Sequence, residues 1–190
     1  MTLTEIIQTR RSIFPKSYDP NREISKELLL QILENANAAP SHKITEPFCC
    51  EIFMGDSRKK LADFMLADYL QNTAVTQQVE MKKQKIKESP LQSAVVIVLK
   101  MKRHPHLLPE WEEIAAVAMA VQNMWLTCTA LGIGSYWSSP DSIVKRGGNL
   151  LKLAADEQCL GLFYMGYPKP NLNFTTPKRT AITDKIIWHQ

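Results

Sequence analysis

The run Ala94-Val95-Val96-Ile97-Val98-Leu99 constrains the fold of this chain more than any other feature. It has no polar face, so it predicts a strand over 93–101 buried on both sides rather than one that alternates between core and water. A second segment, 115–121 (Ala-Ala-Val-Ala-Met-Ala-Val), lies inside a helix expected from Pro109 to about Leu131 and is apolar nearly all round. Such a helix is central, in the core or at a subunit interface. Pro109 sits where a first-turn proline belongs, and Gly132 is placed to stop the helix.

Shorter signals fill in the rest. Thr2 and Glu5 form a capping box for a first helix that carries Leu3, Ile6 and Ile7 inward and ends near Ser12. Ser25 caps a second helix with Leu28, Leu29, Ile32, Leu33 and Ala36 on one face. Strands are expected at 48–53, just after Gly134, and at 159–165, with a third helix after Asp56 or Ser57. The crossovers vary in length, which favours an α+β layer on a four- to five-stranded sheet over a regular doubly wound fold. At 190 residues the chain makes one domain, 1–190. Its end, Lys185-Ile186-Ile187-Trp188, reads as an apolar strand after an irregular arm, 169–190, suited to the sheet of a partner subunit.

Composition excludes several classes. A net charge of +4 favours anionic partners only slightly, and no basic face with interleaved aromatics argues for nucleic acid. The Lys-rich stretch 82–87 reads as a solvated helix face. No signal peptide and no apolar run of the roughly 18–20 residues a membrane helix needs is visible, so a cytoplasmic protein is expected. Cys49, Cys50, Cys128 and Cys159 include no C-x-x-C pair and are read as buried free thiols. His104 and His106 flank Pro105 with no third ligand nearby, which suggests an exposed loop and no metal.

The chemistry-bearing signal is Arg10-Arg11-Ser12. Two guanidinium forks beside a hydroxyl make an anion site, because Arg offers paired planar donors that match phosphate oxygens. Basic residues that balance a helix C-terminus are the plainer explanation when the tripeptide is taken alone. Farther on come Ala39-Pro40-Ser41-His42, Glu46-Pro47-Phe48, the run 131–137 (Leu-Gly-Ile-Gly-Ser-Tyr-Trp), and Met165-Gly166-Tyr167-Pro168 ahead of Lys178-Arg179. The G-x-G at 132–134 follows a helix, so it is no dinucleotide fingerprint.

In that order and spacing these pieces resemble the nitroreductase family of FMN-dependent, NAD(P)H-using oxidoreductases, and its compact members in particular. The resemblance implies a nitroreductase-like fold with a mostly antiparallel sheet and a homodimer with FMN at the subunit interface. It implies an enzyme passing a hydride from NAD(P)H through bound flavin to an electron-poor acceptor, such as a nitroaromatic or quinone, in a ping-pong cycle. A flavin carrier or sensor without turnover, or a related flavin reaction such as reductive dehalogenation, are the alternatives it leaves. Arg10, Ser12 and Arg179 are then expected to hold the FMN phosphate and ribityl chain, with Arg11 sharing the charge. Ser41 and His42 are expected against the flavin, with His42 donating to a pyrimidine carbonyl or ribityl hydroxyl. Trp137, Ser138 and Ser139 match the segment that runs along the ring, while core packing is the other role open to Trp137. Glu46 departs from the family's usual Gln. No side chain is assigned a catalytic role, since the flavin carries the chemistry.

Overall fold

The computed structural model describes residues 1–172 and 178–189. Four strands form one antiparallel sheet: β1 (Phe48–Met54), β2 (Val95–Lys102), β3 (Gly134–Ser138) and β4 (Glu157–Gly166), in the order β1-β2-β4-β3. Residues Val95 to Leu99 are all fully buried. Val95, Ile97, Leu99 and Met101 enter one core and Val96 and Val98 the other, so the apolar run separates two helical layers.

One layer consists of α2 (Lys26–Asn37) and α5 (Glu110–Ala130). Ile32, Ala36, Val117, Val121, Met124 and Cys128 pack with Phe163 and Met165 of the sheet. Pro109 turns out to be the N-cap of α5, and Gly132 follows its end at a φ of 68°. On the opposite face lie α3 (Ser57–Asn72), α4 (Glu80–Gln92) and two short helices, Asp141–Val144 and Gly148–Leu151. Leu61, Met65, Ile143 and Leu151 fill that core with Val96, Val98 and Tyr164. The Lys-rich stretch belongs to α4, where Lys83 pairs with Glu80 and Lys82 sits 4.8 Å over the Tyr69 ring. Among the described residues no helix is long and apolar enough to cross a membrane.

One expectation needs correction. The helix α1 (Leu3–Thr9) has its capping box, but Leu3 is 67% and Ile7 51% exposed and only Ile6 is partly buried, so most of its apolar side does not face the core. It also stops at Thr9, with Arg10 as C-cap, which leaves Arg10-Arg11-Ser12 as an extended segment. At the other end the single chain pairs no strand of its own over 185–188. A single 3₁₀ turn (Ile182–Lys185) is followed by extended backbone, and Ile187 and Trp188 are 82% and 80% exposed. The middle of the arm, 173–177, lies outside the described residues.

Candidate functional site

The extended segment after α1 is drawn along the sheet. Ser12 bridges Ser135 of β3 in parallel, and the Ile13 N–H donates to the Ser135 carbonyl at 3.0 Å. The turn that follows is pinned by Tyr18, fully buried, whose hydroxyl donates to the Ile13 carbonyl at 2.6 Å. This places Arg10 against the C-terminal half of α5. Its guanidinium lies 4.7 Å from the centroid of the Trp125 ring, and the Trp125 indole N–H donates to the Arg11 carbonyl at 3.3 Å.

Arg179, on the C-terminal arm, is near enough for its charge to act on Arg10. Burial, then the charges of Arg179 and Arg11, hold the Arg10 guanidinium below its ordinary pKa. Like charges are gathered here although their repulsion opposes it. Among the described residues no carboxylate pairs with Arg10 or Arg179. Arg11 donates through Nε to the Thr9 carbonyl at 2.9 Å. By its chemistry such a cluster can hold an anion, and a phosphate dianion matches its charge and its paired donors.

Beside it runs β3, an edge strand. Trp137 is half-buried against the core and donates its indole N–H to the Leu160 carbonyl at 3.1 Å, so it serves packing at least. Ser138 closes the ladder opposite Leu162, and exposed Ser139 follows. Gly161 permits this closeness, since a Cβ there would stand 2.4 Å from the Ser138 carbonyl oxygen. Beyond Ser135 the outer edge of β3 has no strand partner among the described residues.

Ser41 and His42 lie elsewhere. Ser41 Oγ accepts from the Glu46 N–H at 3.1 Å, and His42 Nδ1 is 2.5 Å from Glu112 Oε2 in the first turn of α5. Glu112 and Trp125, the anchors of the two groups, are separated by about 20 Å along α5 at its 1.5 Å rise per residue. The chain therefore brings Arg10, Arg11, Ser12, Arg179 and β3 together and keeps Ser41 and His42 apart from them.

Three residues of this site went unnoticed in the sequence: Trp125 under Arg10, Glu112 on His42, and its neighbour Glu113. The Glu113 carboxylate is fully buried, pairs with Arg103, and accepts from the His104 N–H at 2.9 Å. That contact also gives His104 a structural partner. No group of three or more potential metal ligands occurs among the described residues. The four thiols are free, and burial raises their pKa, to about 11 at Cys49 and about 12 at Cys128.

An antiparallel sheet flanked by helices on both faces, with arginines clustered beside one edge strand, defines an α+β domain. Residues 7–169 match the model of the nitroreductase family, and the chain belongs to that family. It is 24% identical to the Bacillus subtilis (strain 168) protein YfhC, itself only provisionally named an NAD(P)H nitroreductase, over 96% of this chain and 93% of that protein. Among solved structures it resembles a nitroreductase-like family protein from Bacillus cereus, with a TM-score of 0.84, 25% identity, and 100% and 97% of the two chains covered. The fold is also that of the FMN-dependent nitroreductase NfnB from Mycobacterium smegmatis, solved with NADPH, with a TM-score of 0.80, 17% identity, and 99% and 98% coverage.

Proposed function

We propose that this chain is the subunit of an FMN-dependent homodimer that oxidises NAD(P)H and reduces a flat, electron-poor acceptor such as a nitroaromatic or quinone. The observation that carries the reading is the gathering of Arg10, Arg11 and Arg179 with no described carboxylate on Arg10 or Arg179. Cations held together against their own repulsion fit a phosphorylated cofactor. A partly buried Arg–phosphate contact contributes about 1.5–3 kcal/mol. The relatives' names, FMN and NADPH among them, agree with it.

Arg10 and Arg179 hold the phosphate, fixed from below by the Trp125 ring, and Ser12 offers a hydroxyl beside it. The edge of β3 at Trp137–Ser139 supplies backbone donors and hydroxyls along the ring. Ser41 and His42, too far along α5 to serve the same site, complete the site formed with the other subunit. The exposed apolar residues Trp111, Ile114 and Met119 on α5 give that subunit a surface to cover. When bound, the flavin supplies hydride acceptance from NAD(P)H and electron delivery to the acceptor. The protein contributes position, charge and exclusion of water.

The test is an absorbance spectrum of the purified protein with FMN, before and after anaerobic addition of NADPH or NADH. Flavin bands that bleach with the nicotinamide are expected. Flavin that stays oxidised would replace the reductase with a carrier, and failure to bind FMN would remove the reading.

A further inference from the structure

The loop 41–46 is costly to hold. Lys43, Ile44 and Glu46 have φ of 54°, 53° and 44°, in the left-handed region. Residues with a Cβ adopt this conformation only under constraint, and a β-branched Ile is least tolerant of it. Ile44 is also 81% exposed, so packing within its own subunit does not offset the strain.

Side-chain contacts impose the conformation. The Ser41–Glu46 hydrogen bond closes the loop on itself. Lys43 Nζ donates to the Leu107 carbonyl at 3.1 Å, and His42 meets Glu112. The segment carrying Leu107 is in turn locked by Glu113, through the His104 N–H and Arg103. Adjacent carboxylates on α5 thus clamp two loops, Glu113 the one leaving β2 and Glu112 the one bearing His42.

An ionised carboxylate only accepts, so its contact with Nδ1 requires a proton on Nδ1. In the neutral ring the other nitrogen, Nε2, is then an acceptor. Nε2 has no partner among the described residues, and the His42 side chain is 58% exposed against 21% for Glu112. We propose that Glu112 is a positioning residue that fixes His42 in the Nδ1–H tautomer and presents Nε2 as a hydrogen-bond acceptor to the ring imide N–H of the flavin. This rests on the flavin reading above, with His42 serving the site it forms with the second subunit. It reverses the direction expected from the family resemblance, in which His42 donates.

The experiment uses the full chain labelled with 15N-histidine, at about pH 8, above the usual imidazole range. Without FMN, His42 shows a protonated Nδ1 and an unprotonated Nε2 in the wild type, and a mixture of tautomers in Glu112→Ala. Glu112→Gln, which keeps the shape of the side chain, gives an intermediate spectrum. Adding FMN moves the Nε2 resonance in the wild type, and FMN affinity falls roughly 5- to 10-fold in Glu112→Ala, where the ring is no longer held in the accepting tautomer. A proton on Nε2 in the wild type overturns the proposal. So does tight FMN binding that leaves Nε2 unmoved and is indifferent to Glu112→Ala. A wild-type protein that binds no FMN instead overturns the flavin reading, and the tautomer is still read without it.

Discussion

The Arg10 guanidinium lies 4.7 Å over the ring of Trp125, which joins the segment after α1 to the C-terminal half of the central helix. A cation–π contact of this kind contributes about 0.5–2 kcal/mol, and it leaves the outer N–H groups of the guanidinium available to a ligand. Arg179, at the far end of the chain, is near enough for its charge to act on Arg10.

Arg10→Ala and Arg179→Ala are therefore expected to weaken FMN binding, each by roughly 10- to 100-fold, the equivalent of one charge-assisted contact. The thermal midpoint of Arg179→Ala should hold or rise slightly, because removing that cation relieves repulsion, whereas Arg10→Ala also gives up the contact with Trp125 and should fall by comparison. Titration of flavin fluorescence gives the affinities. Unchanged affinity in both variants would show that the phosphate is bound elsewhere.

Tyr18 and Gly166 form a second dependence, one of stability. A Cβ on Gly166 would lie 2.6 Å from the Tyr18 ring, and that ring is fully buried with its hydroxyl on the Ile13 carbonyl. Gly166→Ala should cost about 1–3 kcal/mol by overpacking. Tyr18→Phe should cost about 1–2 kcal/mol through the unsatisfied Ile13 carbonyl. Since the ring remains, Phe does not relieve the Ala clash, and urea unfolding of the double variant should show both losses.

Much of this fold is legible in the sequence because its signals are local. A β-branched run without a polar face has one comfortable position, between two layers. Thr2 with Glu5, and Gly132 after Leu131, specify caps through their own geometry. The direction in which α1 faces is not local. Leu3 and Ile7 mark an apolar side, but nothing in their spacing says whether the cover comes from the same subunit. Nor does Lys43-Ile44 announce left-handed backbone, which contacts with Leu107 and Glu112 impose from distant parts of the chain. The site residues could be named singly, but their division into two groups depends on the length of α5.

The ion cluster on β2 gives a pH dependence. Lys100 Nζ lies 2.9 Å from Glu157 and 3.2 Å from Glu51. The hydrogen bond from Lys100, then the Ala154 N–H, holds the Glu157 carboxyl below its ordinary value of 4.5. A depressed carboxylate favours the folded state above the unfolded pKa, and that contribution is lost as pH falls below about 4.5 and through the lower folded value. Wild-type stability should thus decline on acidification across that range. Lys100→Met should be about 1.5–3 kcal/mol less stable at neutral pH, having stranded two carboxylates. Its deficit should shrink in acid as they protonate. Parallel urea curves at all pH values would contradict this account.

The C-terminal arm bears on assembly. Ile186, Ile187 and Trp188 are exposed in the subunit, and burying such side chains contributes about 1.5–3 kcal/mol each. If they pack on a second copy, deleting everything after Thr183 weakens the dimer by several kcal/mol while keeping Arg179 and the phosphate cluster intact. Sedimentation velocity should then show a concentration-dependent monomer that the full chain lacks. FMN affinity should follow, becoming dependent on protein concentration, if Ser41 and His42 reach the cofactor across the interface as proposed. A truncated chain that sediments as the full one does would leave the arm without a role in the dimer. A stable monomer that binds FMN as tightly as before would mean that one subunit completes the site alone.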